Sequence, residues 1–294
     1  MSPIGWIRSA LFVPGNRPDR IDKAIKTKAD VVIIDLEDAV PLSEKVAARK
    51  AVAEKLGSIS NHKVIVRTNG VSTPFFSDDL KAVLVRGIKG LVIPKVNDEA
   101  SMSHLHEQMC AIELHRSIPT VPVIIMVESA KAVLNIHRIA CFRPSPARLH
   151  SFAFGAADYT NDLGVSITLD GRELIYPRSR LAIASRSAEL PRPLDTPYME
   201  NLKDMQALEN DALRAKQLGF GGKLCIHPNQ IEIINRIFSP SAEELQQAQN
   251  IVDVFEEAQK KGIGVIQVDG KFIDKPVVER AKQILASGRP SASL

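Results

Sequence analysis

The feature that most limits what this chain can fold into is a rhythm. Short, continuous apolar runs recur, each followed by a longer amphipathic stretch. The runs cover residues 9–13 (SALFV), 31–36 (VVIIDL), 64–67 (VIVR), 90–96 (GLVIPKV), 121–127 (VPVIIMV), 149–155 (LHSFAFG), a weak run near 192–196, and 223–227 (KLCIH). Helical patterns follow over 17–27, 45–56, 77–86, 98–115, 129–139, 173–188, 200–218 and 229–238. A parallel strand buried on both faces reads as an unbroken apolar run, because neither face meets water. Eight strand–helix pairs predict an α/β fold of the (β/α)8 type, a TIM barrel.

After Phe238 the rhythm stops. Ser241 and Glu244 have the spacing of a capping box and open a helix reaching about residue 261. Residues 262–268 and the Asp269-Gly270-Lys271 turn predict a short hairpin. A last helix is expected over 276–285, before a polar tail, SGRPSASL, expected to be disordered. We therefore read a catalytic barrel over residues 1–238. Residues 239–294 form a lid of helices and a hairpin, expected to be contributed to a neighbouring subunit.

Composition excludes several classes. The net charge of +4 comes from basic residues interleaved with acids, so no nucleic-acid-binding stripe is formed. No apolar run approaches the roughly 20 residues of a membrane span, and the N-terminus lacks the apolar core of a signal peptide. Cys110, Cys141 and Cys225 match no zinc or redox spacing, and their odd number argues against a disulfide framework. A cytoplasmic protein is expected. A mildly basic surface suits a small anionic substrate.

In such barrels the chemistry sits at the C-terminal ends of the strands. Asp35, Glu37 and Asp38 follow the second run, Arg67 ends the third, Lys95 closes the fourth and Glu128 the fifth. Asp158 follows the sixth, and His227 ends the eighth. Glu128 and Asp158, on loops after adjacent strands, can converge on one hard cation such as Mg2+. Either could instead cap the helix after it. Arg67 at a strand end needs an anionic or carbonyl partner, either substrate or an ion pair with Asp35 or Glu37. Lys95 would suit a Schiff-base aldolase, but a solvated loop lysine after Pro94 is the preferred reading. His227 is a base or a structural residue. Gly219, Gly221 and Gly222 form either a phosphate-approaching loop or a plain turn.

The order of nine segments carries a resemblance over nearly the whole chain: RSALFVPGNRPDRIDKA, DVVIIDLEDAVP, VIVRTNG, GLVIPKV, IIMVESAKAV, FAFGAADYTNDLG, YPRSRLAIA, GFGGKLCIHPNQIEIIN and DGKFIDKP. The sequence resembles the citrate lyase beta-chain and malyl-CoA lyase family of the HpcH/HpaI aldolase superfamily. The resemblance implies a metal-dependent lyase that cleaves a 3-hydroxy-3-carboxyacyl-CoA (citramalyl, malyl or citryl) to acetyl-CoA and an oxo acid. It implies Mg2+, or Mn2+ in its place, on Glu128 and Asp158. Arg67 would bind the substrate, and Glu37 with Asp38 would order metal-bound water. Arg17, Ile226 and Pro228 would lie against CoA. Asp274 would reach a neighbour's site as acid or base. A homo-oligomer, trimer or hexamer, is implied, with other lyase subunits as further partners. Thr68 and Lys131 depart from the family pattern. A hydroxyacyl-CoA thioesterase, a malate-synthase-like enzyme and a non-catalytic CoA-binding subunit are the alternatives.

Overall fold

The computed structural model describes residues 4–59, 63–260, 262, 264–268 and 270–288. The chain divides into two compact units, residues 1–235 and 236–294.

The first unit is a closed barrel of eight parallel strands in chain order. These are β1 (Ser9–Pro14), β2 (Val31–Asp35), β3 (Val64–Arg67), β4 (Leu91–Ile93), β5 (Val123–Val127), β6 (Leu149–Phe154), β7 (Leu194–Asp195) and β8 (Gly222–Cys225). β8 returns to β1, pairing Leu224 with Ala10, so no edge is left open. Around them run α1 (Pro18–Ile25), α2 (Lys45–Ser58), α3 (Phe76–Val83), α4 (Glu99–Arg116), α5 (Ala130–Cys141), α6 (Ala156–Leu163), α7 (Ile175–Ser187) and α8 (Met205–Gln217). After β8, α9 (Ile231–Phe238) leads into the second unit.

Alternation along the strands decides what fills the barrel. Ala10, Ile33, Ile65, Val92, Ile124, Ala153, Leu194 and Leu224 form one buried cluster, with Met126 and Phe12 against it. Each fully buried aliphatic side chain of this kind contributes about 1.5–3 kcal/mol. Successive side chains on a strand point to opposite faces, so residues two or four places further on face the same interior, nearer the C-terminal end. On β2 and β3 those residues are Asp35 and Arg67, which are register partners. On β5 the progression runs Ile124, Met126, Glu128.

Two local details differ from the sequence expectation. FAFGAADYTNDL does not run into a loop: Ala156–Leu163 forms α6, closed by Gly164 in the left-handed region (φ +69°). Asp158 therefore sits in a helical first turn. The helix expected from residue 200 begins at Met205, where the Asp204 side chain accepts the Ala207 N–H. The weak seventh strand is real but only two residues long.

What holds it is ionic. Asp195 takes Arg178 of α7 in a two-point pair at 2.8 and 2.9 Å, and Lys223 of β8 at 2.5 Å. Asp211 of α8 closes the group, 2.6 Å from Lys223 and 3.1 Å from Arg178. Arg178, Asp195 and Lys223 are almost wholly buried. Two cations and two anions balance one another, which is what allows them inside.

Gly219, Gly221 and Gly222 lie where neighbouring chain comes close. They precede or begin β8, at the barrel end opposite the strand C-termini. A Cβ on Gly222 would come 2.2 Å from the Ile7 carbonyl oxygen. The second unit has its own core, Ala248, Val252, Phe255, Ile273, Val278 and Ala281. It comprises α10 (Ala242–Lys260), an antiparallel pair β9 (Ile266–Val268) and β10 (Lys271–Ile273), and α11 (Lys275–Gly288). The capping box forms: Ser241 N–H donates to Glu244 at 2.8 Å, and Glu244 N–H to Ser241 Oγ at 3.1 Å. Asp269 and the tail after residue 288 lie outside the described residues.

Candidate active site

Five carboxylates lie at the C-terminal ends of β2, β5 and β6 or just after them: Asp35, Glu37, Asp38, Glu128 and Asp158. Arg67 is built around Asp35. Its Nε and Nη2 donate to the two Asp35 oxygens at 2.7 and 2.6 Å. That two-point pair leaves Nη1 turned toward Glu37 at 3.1 Å and Asp38 at 3.4 Å. Phe12 stacks beneath the guanidinium, 4.6 Å from ring centre to Cζ. Burial opposes charge on Arg67, but Asp35 outweighs it and raises the Arg67 pKa. Burial likewise works against charge on Asp35, and Arg67 overcomes it, lowering the Asp35 pKa. The ion-pair reading of Arg67 is the one seen: Asp35 takes one edge, and Nη1 faces Glu37 and Asp38.

Glu128 is held from two sides. Its Oε1 accepts the Lys95 backbone N–H at 2.6 Å. On the other side lies Gly155, where a Cβ would come 2.5 Å from Glu128 Oε2 and 2.7 Å from Glu128 Cβ. Glu128 does not cap α5, because the Ser129 side chain does so by accepting the Ala132 N–H. Burial, then the charges of Glu37 and Asp158, push the Glu128 carboxyl up to about 8. Burial also pushes Glu37 up to about 7, opposed by Arg67. Glu37 Oε2 is buried without a hydrogen-bond partner among the described residues.

Lys95 is not the solvated loop lysine preferred from the sequence. Its ammonium lies among the acids, 2.7 Å from Glu37, 3.5 Å from Asp158 and 3.8 Å from Asp38. Burial opposes its charge, but the hydrogen bond to Glu37 and the neighbouring acids raise its pKa. A lysine held protonated is a poor nucleophile, which disfavours Schiff-base chemistry. Lys45 escaped the sequence reading. Its buried ammonium donates to the Leu36 and Glu37 carbonyls at 2.9 and 2.7 Å and fixes the turn that presents Glu37 and Asp38. The period-two pattern on β2 was the available signal that Asp35 faces the barrel interior. Nothing local marks Lys45 or Gly155.

The other predicted residues fall in separate places. Arg17 begins α1 after β1 and pairs with Asp19 at 3.1 Å on the surface. Ile226 and Pro228 are exposed just after β8, the strand beside β1. Barrel topology thus brings Arg17, Ile226 and Pro228 to the same end, next to one another in strand order. His227 is structural: its side chain accepts the Asn229 N–H and completes a capping box with Gln230. Lys131 pairs with Asp98 at 2.5 Å on the surface. Thr68 is buried and donates its N–H to the Val92 carbonyl. Asp274 belongs to the second unit, where its carboxylate accepts the Val277 N–H at the start of α11.

The acids suit a divalent cation by donor type and charge. Arg67, Lys95 and Lys45 are fewer than the five carboxylates, and Glu37 Oε2 makes no well-formed hydrogen bond, only the ion-pair contact with Arg67 Nη1. Among the described residues no three His, Cys, Asp or Glu side chains converge as a ready cage. Mg2+ needs none, since it keeps several waters and takes one or two carboxylates.

The HpcH/HpaI aldolase/citrate lyase model matches residues 8–228, and a model for C–C bond lyases of the TIM-barrel fold matches 174–289. The chain belongs to the HpcH/HpaI aldolase/citrate lyase family. It is 37% identical to the citrate lyase subunit beta of Leuconostoc mesenteroides subsp. cremoris, over 95% of this chain and 92% of that one. It is 33% identical to the (3S)-malyl-CoA thioesterase of Cereibacter sphaeroides, over 97% and 96% of the two chains. Among solved structures, CitE from Mycobacterium tuberculosis in complex with magnesium, acetoacetate and coenzyme A is similar. There the TM-score is 0.78 and the identity 27%, over 97% of this chain and 98% of the other. No helix among the described residues is long and apolar enough to cross a membrane.

Gly155 gives the first prediction. Gly155→Ala forces the Glu128 carboxylate out of its place while leaving the barrel folded. Mn2+ binding, followed by electron paramagnetic resonance, should weaken roughly 10- to 100-fold, with an unchanged far-UV circular dichroism spectrum. Binding equal to wild type would contradict the assigned role of Gly155.

Proposed function

We propose that this chain is a Mg2+-dependent lyase that cleaves the C2–C3 bond of a 3-hydroxy-3-carboxyacyl-CoA, giving acetyl-CoA and an oxo acid. The observation that carries the reading is the placement of Arg67 at the end of β3, Glu128 just after β5 and Asp158 in the first turn of α6, all at one end of the barrel. The magnesium and coenzyme A named with the Mycobacterium tuberculosis relative support it. So do the citrate lyase and malyl-CoA names of the curated relatives.

Glu128 and Asp158 would hold the cation. Bound there, Mg2+ would supply Lewis acidity toward the substrate's hydroxyl and carboxylate; Mn2+ would serve as a substitute. Arg67, through Nη1, would bind the substrate's carboxylate or developing oxyanion, and Asp35 keeps it charged and oriented for that task. Glu37 and Asp38 would order water beside the acids. The hydroxyl proton leaves to a base, and the C2–C3 electron pair moves onto the thioester as an enolate. Asp274 of a neighbouring subunit would return a proton to C2, completing acetyl-CoA. Arg17, Ile226 and Pro228 would line the CoA, at the β1–β8 side of the mouth.

A closed homo-oligomer, trimer or hexamer, would let each second unit cover a neighbour's barrel and exclude water from the enolate. Residues 239–294 would form that lid. Other lyase subunits are further partners, and the cytoplasm is the proposed location. Intact Arg67, Glu128, Asp158 and Asp274 disfavour a non-catalytic subunit. The thioesterase relative supports a second reading, hydrolysis of the same thioester to free CoA.

Chelation tests the metal. EDTA should abolish acetyl-CoA release and Mg2+ restore it, whereas full turnover in metal-free buffer would contradict the mechanism. Mixing tests the shared site. Asp274→Asn and Glu128→Ala should each be inactive, and subunit exchange between them should restore part of the activity. No recovery after proven exchange would return Asp274 to its own subunit or remove it from catalysis.

A further inference from the structure

The carboxylate cluster already contains a cation. Lys95 Nζ stands 2.7 Å from Glu37 Oε1, 3.5 Å from Asp158 Oδ2 and 3.8 Å from Asp38 Oδ1. Its own backbone N–H holds Glu128 Oε1 at 2.6 Å. One residue thus touches both acids assigned to the metal, Glu128 through its main chain and Asp158 through its side chain. Two positive centres cannot share this space without strong repulsion.

We propose that Lys95 is a built-in competitor of the divalent cation, its ammonium holding the carboxylates together until the metal replaces it. The proposal rests on the metal reading of Glu128 and Asp158. Two features support an exchange rather than a permanent salt bridge. The backbone at Lys95 is left-handed (φ +57°), which L residues adopt at a cost and keep where their surroundings hold them. That conformation keeps the Glu128 contact with the main chain, independent of where the ammonium goes. The side chain is 43% exposed, so the ammonium can swing into the mouth without moving the backbone.

The consequence is a metal affinity set by competition. A ligand that must displace a resident cation binds more weakly than one entering the same site without it, as linkage requires. Metal binding should then couple to withdrawal of the lysine. The same exchange would leave the acids partly neutralised in the metal-free protein, so their mutual repulsion is reduced before the cation arrives.

Direct metal binding tests this without reference to turnover. Mn2+ is titrated into the full-length purified protein and followed by electron paramagnetic resonance. Wild type, Lys95→Met, Lys95→Gln, Lys95→Arg and Glu128→Ala are compared, with circular dichroism as a check on folding. Met carries the same left-handed backbone cost as Lys, so Lys95→Met isolates the charge. Lys95→Met and Lys95→Gln should bind Mn2+ about tenfold more tightly than wild type. Lys95→Arg should bind like wild type, and Glu128→Ala should lose most binding. The rise in melting temperature on adding Mn2+ should be larger for Lys95→Met than for wild type. Equal or weaker binding by both neutral variants, with Glu128→Ala still defective, would overturn the competition and leave the metal site standing. No Mn2+ binding by wild type or any variant would overturn both.

Discussion

Like charges crowded at one end of a barrel repel one another, and every other feature of this site depends on how that repulsion is contained. Asp35 and Arg67 are the first containment. Strand register sets them side by side, and their two-point pair at 2.6 and 2.7 Å lets a guanidinium stay charged in a nearly dry interior. Arg67 then spends its remaining edge on Glu37 and Asp38, while Lys45 ties down the turn that carries both. Lys95 closes the arrangement from the other side. Remove the cations, and buried acids such as Glu37 and Glu128 would be held to their protons more strongly still, because burial already pushes them up to about 7 and about 8.

The barrel beneath the site solves the same problem by a different route. β7 has only two residues, too few for backbone bonding alone to define a strand firmly. Arg178, Asp195, Asp211 and Lys223 span that weak sector as a balanced buried group. Deleting one member would strand a charge in the interior, which typically costs about 3–5 kcal/mol. Polar residues are thus scaffold on one side of the barrel and a candidate site at its end. Their balance separates the roles: the scaffold group is neutral, and the site is left negative.

Much of this was legible in the sequence, for a physical reason. Burial on both faces forces parallel strands to be apolar throughout, so eight runs announced eight strands. The point where each run turned polar marked the C-terminal end of the barrel, and Arg67, Glu128 and Asp158 stand there. What stayed hidden depends on distance in the chain. Lys95 reaches Glu37 and Asp158 across long separations, and no local period records that its ammonium points inward rather than into solvent. The Arg178–Asp195–Lys223 group has the same character, although a lysine inside the apolar run KLCIH is an anomaly that signals a buried partner. α6 was missed because its eight residues follow the glycine of FAFG and resemble a loop. Gly155 was invisible because its contribution is the absence of a side chain beside Glu128.

Which bond is broken decides the chemistry of this site. Citramalyl-CoA, malyl-CoA and citryl-CoA, each supplied with Mg2+ and the purified protein, separate the outcomes when products are identified by mass. The mechanism predicts acetyl-CoA and the matching oxo acid in equal amounts from at least one thioester, with no free CoA. Free CoA together with an intact hydroxy acid would contradict it, since the thioester rather than the carbon–carbon bond would then have been cleaved.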